Sequence, residues 1–505
     1  MARNTGFDNE KYLEEQTSAI RDRMNRFSDK LYLEFGGKLL FDYHASRVLP
    51  GFDPNVKMRL LHQIQDQAEV ILCIYAGDIE KKKMRADFGI TYDADALKLM
   101  DDLADWGVPV KAVVITRYQD QPAAKAFKSR LENQGVAVHT HPFTRGYPTE
   151  VETVVSREGY GANSYVETEK PVVVITGPGP GSGKLATCLS QLYHDHRGGL
   201  HSGYAKFETF PIWNLPLKHP VNVAYEAATA ELKDVNLLDH FHLEAFDEKA
   251  VNYNRDLEAF PLLTRIMEKI TGEPAFYASP TDMGVNRAGF GIVDDQVVRE
   301  AGKQEIIRRY FRYACEHAMG LVDEATVQRI DLLLDELGLK LEDRPVVAPA
   351  RSAARRAREE GKGNDGIFCG AAMELPDGSI VTGNNSPLMH AAAGLILNAA
   401  KRLAGIPREE HLLPPPVTDS LTHLKKDILS RRRMSLDAEE ALIALSISGV
   451  SERRARTALP ALRKMRGCEV HMTHMPSPGD EAGLRKLGVN LTTDPYLATN
   501  RLFAT

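Results

Sequence analysis

The sequence "VVVITGPGPGSGKL", residues 172–185, contains the residue types best suited to chemistry. A β-branched apolar run leads into a loop with four glycines, and a lysine and a helix-like segment follow. Strand, glycine loop, lysine and helix is the order in which a chain builds a phosphate-binding loop. The spacing departs from G-x-x-x-x-G-K-[ST], because Pro178 stands where a glycine is usual and Leu185 stands where a hydroxyl is usual.

Each part of this loop has a role in binding phosphate. Glycines let backbone N–H groups converge on an anion, and the N-terminus of the next helix favours negative charge. A lysine at the start of that helix can pair with a phosphate. The residues that we expect to bind the cofactor, with ATP or another nucleotide as the candidate, are Gly177, Gly179, Gly181, Ser182, Gly183, Lys184 and Thr187.

Two features of the loop fit a nucleotide site poorly. Pro178 and Pro180 each remove one N–H donor. Leu185 removes the hydroxyl that ordinarily binds magnesium, for which Ser182 or Thr187 would have to substitute from other positions. The requirement for magnesium therefore stays open, and a glycine-rich turn without a ligand is the alternative interpretation.

A second polar cluster lies in "YASPTDMGVNRAGFG", residues 277–291. We expect Asp282 to act as a base or cation ligand and Arg287 to clamp a phosphate or carboxylate, so both join Lys184 as catalytic candidates. Loops of this composition often complete the sites of α/β proteins. The neighbouring candidates for substrate binding are Ser279, Thr281 and Asn286. A solvent-exposed loop with local turns is the alternative.

Apolar runs alternate with amphipathic segments before the glycine loop. The predicted strands are 68–76, 110–118, 136–141 and 171–177, and the predicted helices are 93–107 and 122–135. This alternation indicates an α/β fold with a mostly parallel sheet, in which the glycine loop lies at the carboxyl edge. Earlier in the chain, Gly36 and Gly37 resemble the turn of a hairpin.

Composition shifts divide the chain into four segments. Residues 1–293 form the predicted α/β phosphate-binding domain. Helical periodicity covers 294–345, and the prolines, glycines and arginines of 346–366 are typical of a linker. Residues 367–505 have strands and helices enough for a C-terminal α/β domain of their own.

The stretch "CGAAMELPDGSIVTGNNSPLMHAAAGLILNAAKRLAG", residues 369–405, resembles the cytidine-deaminase-like fold. In that fold a strand, a G-x-N loop and a helix carry a His/Cys-Ala-Glu zinc motif. Here His390 is followed by two alanines, and the later "MPSPGDEAGL" has no cysteine, so the glutamate and two zinc ligands are missing. The resemblance implies a deaminase-like scaffold that binds no zinc, with Asn384, Asn385 and His390 as substrate-binding candidates.

The motifs "ITGPGPGSGK", "NLPLKHPVNVAYEAATAEL", "SPTDMGVNRAGFG" and "ELPDGSIVTGNNSPLMHAAAG" together resemble an uncharacterised bacterial family of about 500-residue proteins, known only as a domain of unknown function. The resemblance spans essentially the whole chain. It implies a cytoplasmic bacterial protein with a two-part architecture, and it implies no reaction.

Composition limits the classes of function. A net charge of −6 argues against a nucleic-acid binder, and no run of apolar residues is long enough to span a membrane. Five scattered cysteines without C-x-x-C indicate reduced thiols in a cytoplasm. The partner that we expect is a small phosphorylated ligand, and self-association into a homo-oligomer is compatible with the sequence.

Two functions follow from these residues. The first is an enzyme, a phosphoryl- or nucleotide-dependent transferase or ligase-like protein, that binds its ligand at 177–184. The second is a sensor without catalysis, which reports nucleotide or metabolite binding through its C-terminal domain.

Overall fold

The computed structural model describes residues 5–85, 89–430 and 434–499. These residues form two compact units. The N-terminal unit comprises 5–229 and 234–302, and the C-terminal unit comprises 230–233 and the described residues from 303 onward. The division falls inside a helix that begins at Asp295, whereas the sequence predicts a boundary at 293.

The elements of the N-terminal unit alternate between strands and helices. Its strands are β1 (Leu31–Phe35), β2 (Ala68–Tyr75), β3 (Met84–Arg85), β4 (Ile90–Thr91), β5 (Val110–Thr116), β6 (Val138–His141), β7 (Val172–Thr176), β8 (Gly203–Phe207), β9 (Asn236–Leu238), β10 (Val251–Tyr253) and β11 (Gly284–Val285). Its helices are α1 (Asn9–Met24), α2 (Tyr43–Val48), α3 (Val56–Gln63), α4 (Ala76–Glu80), α5 (Tyr92–Asp105), α6 (Pro122–Asn133), α7 (Val151–Val154), α8 (Lys184–Arg197), α9 (Pro220–Ala228), α10 (His240–Phe246), α11 (Asn254–Thr271) and α12 (Pro280–Met283).

Helix α13 (Asp295–Ala318) continues the chain from the N-terminal into the C-terminal unit. The further helices are α14 (Glu324–Glu336), α15 (Val347–Glu359), α16 (Ala391–Leu403), α17 (Pro415–His423), α18 (Ala438–Ser451), α19 (Arg453–Ala458) and α20 (Pro478–Leu487). The strands are β12 (Gly370–Glu374), β13 (Ile380–Asn384), β14 (Glu469–Met472) and β15 (Asn490–Thr493). Across the described ranges, no helix is both long enough and apolar enough to cross a membrane.

Within the described part of the N-terminal unit, seven strands form one sheet in the order β11-β8-β1-β7-β2-β5-β6. Every neighbouring pair is parallel. The central strands β2, β5 and β7 are rich in valine and isoleucine and largely buried, as expected for parallel strands with helices on both faces. The predicted mostly parallel α/β fold is therefore confirmed.

Strand β1 corrects one prediction. The sequence predicts that Gly36 and Gly37 close a hairpin, but β1 lies inside the sheet and pairs in parallel with β7 and β8. A Cβ on Gly36 would approach the carbonyl oxygen of Phe207 to 2.8 Å, so this glycine permits close contact between neighbouring strand ends.

The glycine loop follows β7, where the direction of the chain across the sheet reverses. From β1 the chain continues to β2 and then outward to β5 and β6, whereas from β7 it continues to β8 on the other side of β1. Because crossovers between parallel strands are right-handed, the connections after β1 and β7 cover opposite faces of the sheet. Ligands of open α/β sheets bind at such a position, at the carboxyl ends of the strands.

In the described part of the C-terminal unit, four strands form a mixed sheet in the order β13-β12-β14-β15. Strands β12 and β13 form a hairpin that turns at Asp377-Gly378, with Gly378 at φ +81°. Strand β12 is also antiparallel to β14, and β14 is parallel to β15.

The segment 346–366, which the sequence predicts to be a linker, contains helix α15. Its buried alanines are Ala350, Ala353 and Ala357, and a Cβ on Gly370 of β12 would approach the carbonyl oxygen of Ala350 to 2.2 Å. On the other side of the helix, Arg351 is paired with Asp494 at 2.7 Å and with Glu342 at 2.5 Å. Small side chains on one helix face and arginines on the other produced a composition typical of linkers.

Candidate functional site

The glycine loop connects β7 directly to the N-terminus of α8, a helix of 14 residues. Gly181 and Gly183 have φ values of +74° and +93°, which glycine adopts without steric cost. Gly183 is the N-cap residue and Lys184 is the first residue of the helix. The positive end of the helix dipole therefore faces the loop.

Residues at the end of β5 hold the loop by its carbonyl groups. The Thr116 hydroxyl donates a hydrogen bond to the Ser182 carbonyl oxygen at 2.8 Å. The guanidinium of Arg117 donates to the Gly181 carbonyl oxygen and stacks on the ring of Tyr75, 3.4 Å from its centroid. Both interactions attach the loop to the carboxyl edge of the sheet.

Fixing these carbonyl groups also orients N–H groups. In a trans peptide the N–H points opposite to the C=O, so the peptide between Ser182 and Gly183 directs its N–H away from Thr116. Among the residues that the structure describes, no protein group accepts a hydrogen bond from the backbone N–H of Gly179, Gly181, Gly183 or Lys184. The loop therefore offers several donors to an anion.

Two hydroxyl groups of the predicted site differ in position. Ser182 is buried beneath the loop, its Oγ has no hydrogen-bond partner in the described structure, and a Cβ on Gly177 would lie 2.6 Å from it. Thr187 is fully buried, and its Oγ1 accepts a hydrogen bond from Cys73 Sγ at 3.3 Å. The Ser182 hydroxyl therefore lies within the loop. The Thr187 side chain instead packs between α8 and the sheet.

The side chain of Lys184 lies over the loop. Its Nζ is 3.5 Å from the Gly179 carbonyl oxygen, a distance at the outer limit of a hydrogen bond. A cavity of about 20 Å³ adjoins Gly177 and Pro178 and is lined by Lys38 and Lys98 among others. It has room for about one water molecule, so a ligand at this loop would bind at an open edge of the sheet.

Substituting glycine inside the loop tests its geometry. We expect Gly183→Ala to destabilise the protein by about 2 kcal/mol, because alanine at positive φ costs about 1 kcal/mol and its Cβ would lie 2.6 Å from Thr116 Cγ2. The matched control is Gly181→Ala, since Gly181 has a similar φ and a Cβ added there would meet only open space. Urea unfolding that shows equal losses for both would contradict close contact between the loop and Thr116.

A cluster of buried charges lies at the same edge of the sheet. Lys206 Nζ is 2.7 Å from Glu208 Oε1 and 2.6 Å from the Tyr253 hydroxyl, and it is paired with Asp256. The hydroxyl of Tyr253 also donates to Glu208 Oε1 at 3.2 Å. On the adjacent strand β1, Glu34 accepts a hydrogen bond from the Tyr204 hydroxyl at 2.8 Å.

The environment of this cluster shifts two pKa values upward. Burial raises the pKa of Glu208 to about 7, although the Lys206 ammonium opposes the shift, and Asp256 adds to it. Burial lowers the pKa of Lys206, but Asp256 and Glu208 outweigh this effect and raise it well above its ordinary value. Glu208 can therefore exchange a proton near neutral pH, as a general acid or base must.

Strand register relates this cluster to the glycine loop. Glu34 is level with Lys206 on β8 and with Ile175 on β7. Counting two residues further along each strand, Glu208 follows the end of β8 and Gly177 follows the end of β7, so the two residues are level with each other. Their backbones are two strand spacings apart, or roughly 10 Å. A small phosphorylated molecule is long enough to reach from one to the other.

Sequence reasoning did not assign a role to Lys206 or Asp256. The available signal was a charged residue within an otherwise apolar strand, in "LYLEF" for Glu34 and "GYAKF" for Lys206. Such residues are almost never buried unless they are paired.

The residues predicted in 277–291 lie on both sides of the short strand β11. Before it, Asp282 is paired with Arg23 at 3.4 Å and accepts a hydrogen bond from the Ala278 N–H. Ser279 caps α12 through the Asp282 N–H and lies 2.9 Å from His242 Nδ1. Thr281 donates to Asp239 at 2.7 Å. These three side chains stabilise the local structure.

Asn286 and Arg287 follow β11 and so lie at the carboxyl edge. The side chain of Asn286 donates to the Pro211 carbonyl oxygen at 2.8 Å, which fixes the segment around Trp213. The guanidinium of Arg287 lies 5.4 Å from the centroid of the Phe290 ring. Three strand spacings, roughly 14 Å, separate the end of β11 from that of β7.

The three predicted residues of the C-terminal unit have different environments. Asn385 is buried and bonds to the Cys369 N–H and the Ile367 carbonyl oxygen, both at 2.8 Å. Asn384 donates to the Asn385 carbonyl oxygen. His390 is the N-cap residue of α16, and its Nδ1 lies 2.7 Å from a carboxylate oxygen of the buried Asp480.

The charge of His390 depends on this partner. Burial lowers the pKa of His390, but the hydrogen bond and charge of Asp480 outweigh burial and raise it. In the part of the chain that the structure describes, no group of three or more His, Cys, Asp or Glu side chains could hold a metal ion. The absence of zinc from the purified protein stays a prediction.

The fold and the glycine loop define an α/β protein of two units, and comparison with known proteins assigns its family. The chain belongs to the DUF1846 family: the model "Domain of unknown function DUF1846, N-terminal" matches residues 5–338, and the corresponding C-terminal model matches 342–503. It is 55% identical over 499 residues to a UPF0371 protein of Clostridium botulinum (strain Langeland), across 99% of both chains. A UPF0371 protein of Clostridium tetani is 54% identical over 498 residues. The predicted membership of an uncharacterised family of about 500 residues is confirmed.

Proposed function

We propose that this protein is an enzyme that binds a nucleotide or another phosphorylated small molecule at residues 177–184. The observation that supports it best is the set of backbone N–H groups that the loop presents at the N-terminus of α8. Thr116 and Arg117 hold the loop carbonyls, and the donors opposite them have no acceptor within the described structure. Lys184 adds a positive charge beside these donors.

The buried charges next to the loop supply the chemistry in this proposal. Glu208 transfers the proton, since burial raises its pKa to about 7 and it is level with Gly177 at the carboxyl edge. Lys206, which is itself paired with Asp256, holds the Glu208 carboxylate in place. We assign this role to Glu208 and not to Asp282, because Asp282 is paired with Arg23 before β11. Arg287, after β11, binds the far end of a longer substrate.

For the C-terminal unit we propose a deaminase-like scaffold without deaminase chemistry. The hairpin of β12 and β13 followed by α16 supports the scaffold, and His390-Ala391-Ala392 lacks the glutamate that would move protons. His390, held by Asp480, is its candidate residue for contact with a substrate or partner.

Substituting the loop lysine tests phosphate binding. We expect Lys184→Ala to weaken binding of the compound that binds best among ATP, ADP, AMP and inorganic phosphate at least tenfold, about 1.4 kcal/mol. The substitution removes only the long contact with Gly179, so the fold should persist. Isothermal titration calorimetry with and without Mg²⁺ measures the effect, and Lys125→Ala, an exposed lysine on α6, is the control.

Two outcomes would overturn the phosphate site: equal affinity of Lys184→Ala and wild type, or no binding of any of the four compounds. Catalysis is tested separately, by following turnover of the bound nucleotide over a panel of small-molecule acceptors. Binding that depends on Lys184 without turnover would identify a sensor instead of an enzyme.

A further inference from the structure

The glycine pair Gly36-Gly37 follows β1, as the glycine loop follows β7. Strands β1 and β7 are adjacent and parallel, with Glu34 level with Ile175. The two loops therefore begin level with each other, one strand spacing or roughly 5 Å apart. We call residues 36–40 the β1 loop. Both loops lie at the carboxyl ends of the strands where the direction of the chain reverses, which is where ligands of open α/β sheets bind.

A buried lysine holds the β1 loop by a carbonyl group. Lys57 of α3 is fully buried, and its Nζ donates to the Lys38 carbonyl oxygen at 3.0 Å and to Asp42 at 2.8 Å. In a trans peptide the N–H points opposite to the C=O, so the peptide between Lys38 and Leu39 directs its N–H away from Lys57. The glycine loop is held by its carbonyl groups in the same way.

The β1 loop has backbone donors without acceptors. Among the residues that the structure describes, no protein group accepts a hydrogen bond from the backbone N–H of Gly37, Leu39 or Leu40. Gly37 is exposed and has a φ of +70°, which glycine adopts without steric cost. Leu39 and Leu40 are only 3% and 4% exposed. Because buried backbone N–H groups almost always have a partner, these two donors require one that the described residues do not supply.

The small cavity beside the glycine loop lies between the two loops. It has a volume of about 20 Å³, and Leu39 and Leu40 line it together with Gly177. Lys38 also lines it and adds a positive charge. Backbone donors of both loops and the side chain of a lysine therefore lie close together at the carboxyl edge of the sheet.

Helix α5 adds further charges to the wall of this cavity. Asp95, Lys98 and Asp102 line it, and Lys98 is paired with Asp102. The remaining carboxylate, Asp95, is only 1% exposed. Together with Lys38 these side chains carry two positive and two negative charges, so they give no net preference for an anion. The preference comes from the backbone donors of the two loops and from the N-terminus of α8.

We propose that the β1 loop binds the second phosphate of a ligand whose first phosphate binds at residues 177–184, so the ligand is a diphosphate ester such as a nucleoside diphosphate. The inference rests on the proposed function and specifies its ligand. Two phosphates joined by one bridging oxygen can occupy neighbouring loops that begin one strand spacing apart, whereas a single phosphate occupies only one of them. Each loop contributes a lysine, Lys38 or Lys184, that offsets the charge of the diphosphate.

Isothermal titration calorimetry of the full chain with ADP and with AMP tests the second phosphate site. The wild type should bind ADP about tenfold more tightly than AMP, or better, because only ADP reaches both loops. Lys38→Ala should lower the affinity for ADP and not that for AMP, which reduces the preference to about threefold or less. The control is Lys125→Ala, an exposed lysine on α6, which should keep the preference of the wild type. Lys184→Ala should weaken the binding of both nucleotides.

The outcomes separate this inference from the proposed function. Equal affinities of the wild type for ADP and AMP, or a preference for ADP that persists in Lys38→Ala, would contradict the second phosphate site and leave the first intact. Equal weakening of ADP and AMP in Lys38→Ala would assign Lys38 to the first phosphate, which also contradicts the inference. No binding of either nucleotide would remove the proposed function and this inference with it.

Discussion

Replacing Arg344 by methionine is expected to lower the free energy of unfolding of the C-terminal unit by about 3 kcal/mol. Arg344 is only 1% exposed and joins β14 to β15. Its Nη1 lies 2.8 Å from Glu469 Oε2, and it donates to Thr492 Oγ1 and the Asn490 carbonyl oxygen, both at 2.9 Å. Methionine fills much of the volume but leaves these acceptors unsatisfied.

Hydrogen exchange of β14 and β15 during urea unfolding measures this loss. The control is Arg355→Met, which removes an exposed arginine of α15 whose contact is with Ser352. Combining Arg344→Met with Glu469→Leu should recover part of the stability, because the carboxylate without a partner is then also removed. A loss below about 1 kcal/mol in the single variant would show that the Arg344 network contributes little.

The sheet could be predicted because each of its central strands has a recognisable composition within a short stretch of sequence. The runs that form β2, β5 and β7 are apolar and β-branched, and each predicted strand agrees with the structure to within a few residues. The glycine loop was equally visible, since two of its glycines have positive φ and the other two are in close contact with residues of β2 and α5. Both signals lie within about ten residues of sequence, where composition reflects backbone conformation directly.

Features that depend on distant residues could not be predicted. The charges of Lys206 and Asp256 are separated by fifty positions, and only the strand register brings Glu34 level with Lys206. The arginines of α15 suggested a solvated linker because the sequence does not show that Asp494 lies beside Arg351. In both cases the sequence does not show which oppositely charged residue pairs with the charge and stabilises it in its position.

Replacing Glu208 by glutamine is expected to remove a dependence of stability on pH in the N-terminal unit. Burial raises the pKa of Glu208 from 4.5 to about 7, so the folded protein binds this proton more tightly than the unfolded chain. The resulting stability is fully present below pH 4.5 and is lost as the pH rises through 7. The total loss is on the order of 3 kcal/mol. Glutamine keeps the shape of the side chain and does not titrate.

Urea unfolding between pH 5 and 8, followed by hydrogen exchange of β8, measures this difference. Wild type should lose stability across the window, and Glu208→Gln should vary much less. Glu258→Gln, an exposed carboxylate on the helix that carries Asp256, should follow the wild type. If Glu208 also transfers the proton in catalysis, the same substitution removes the pH dependence of kcat/KM near 7. A wild type of constant stability from pH 5 to 8 would refute the raised pKa, and with it the reason for assigning proton transfer to Glu208.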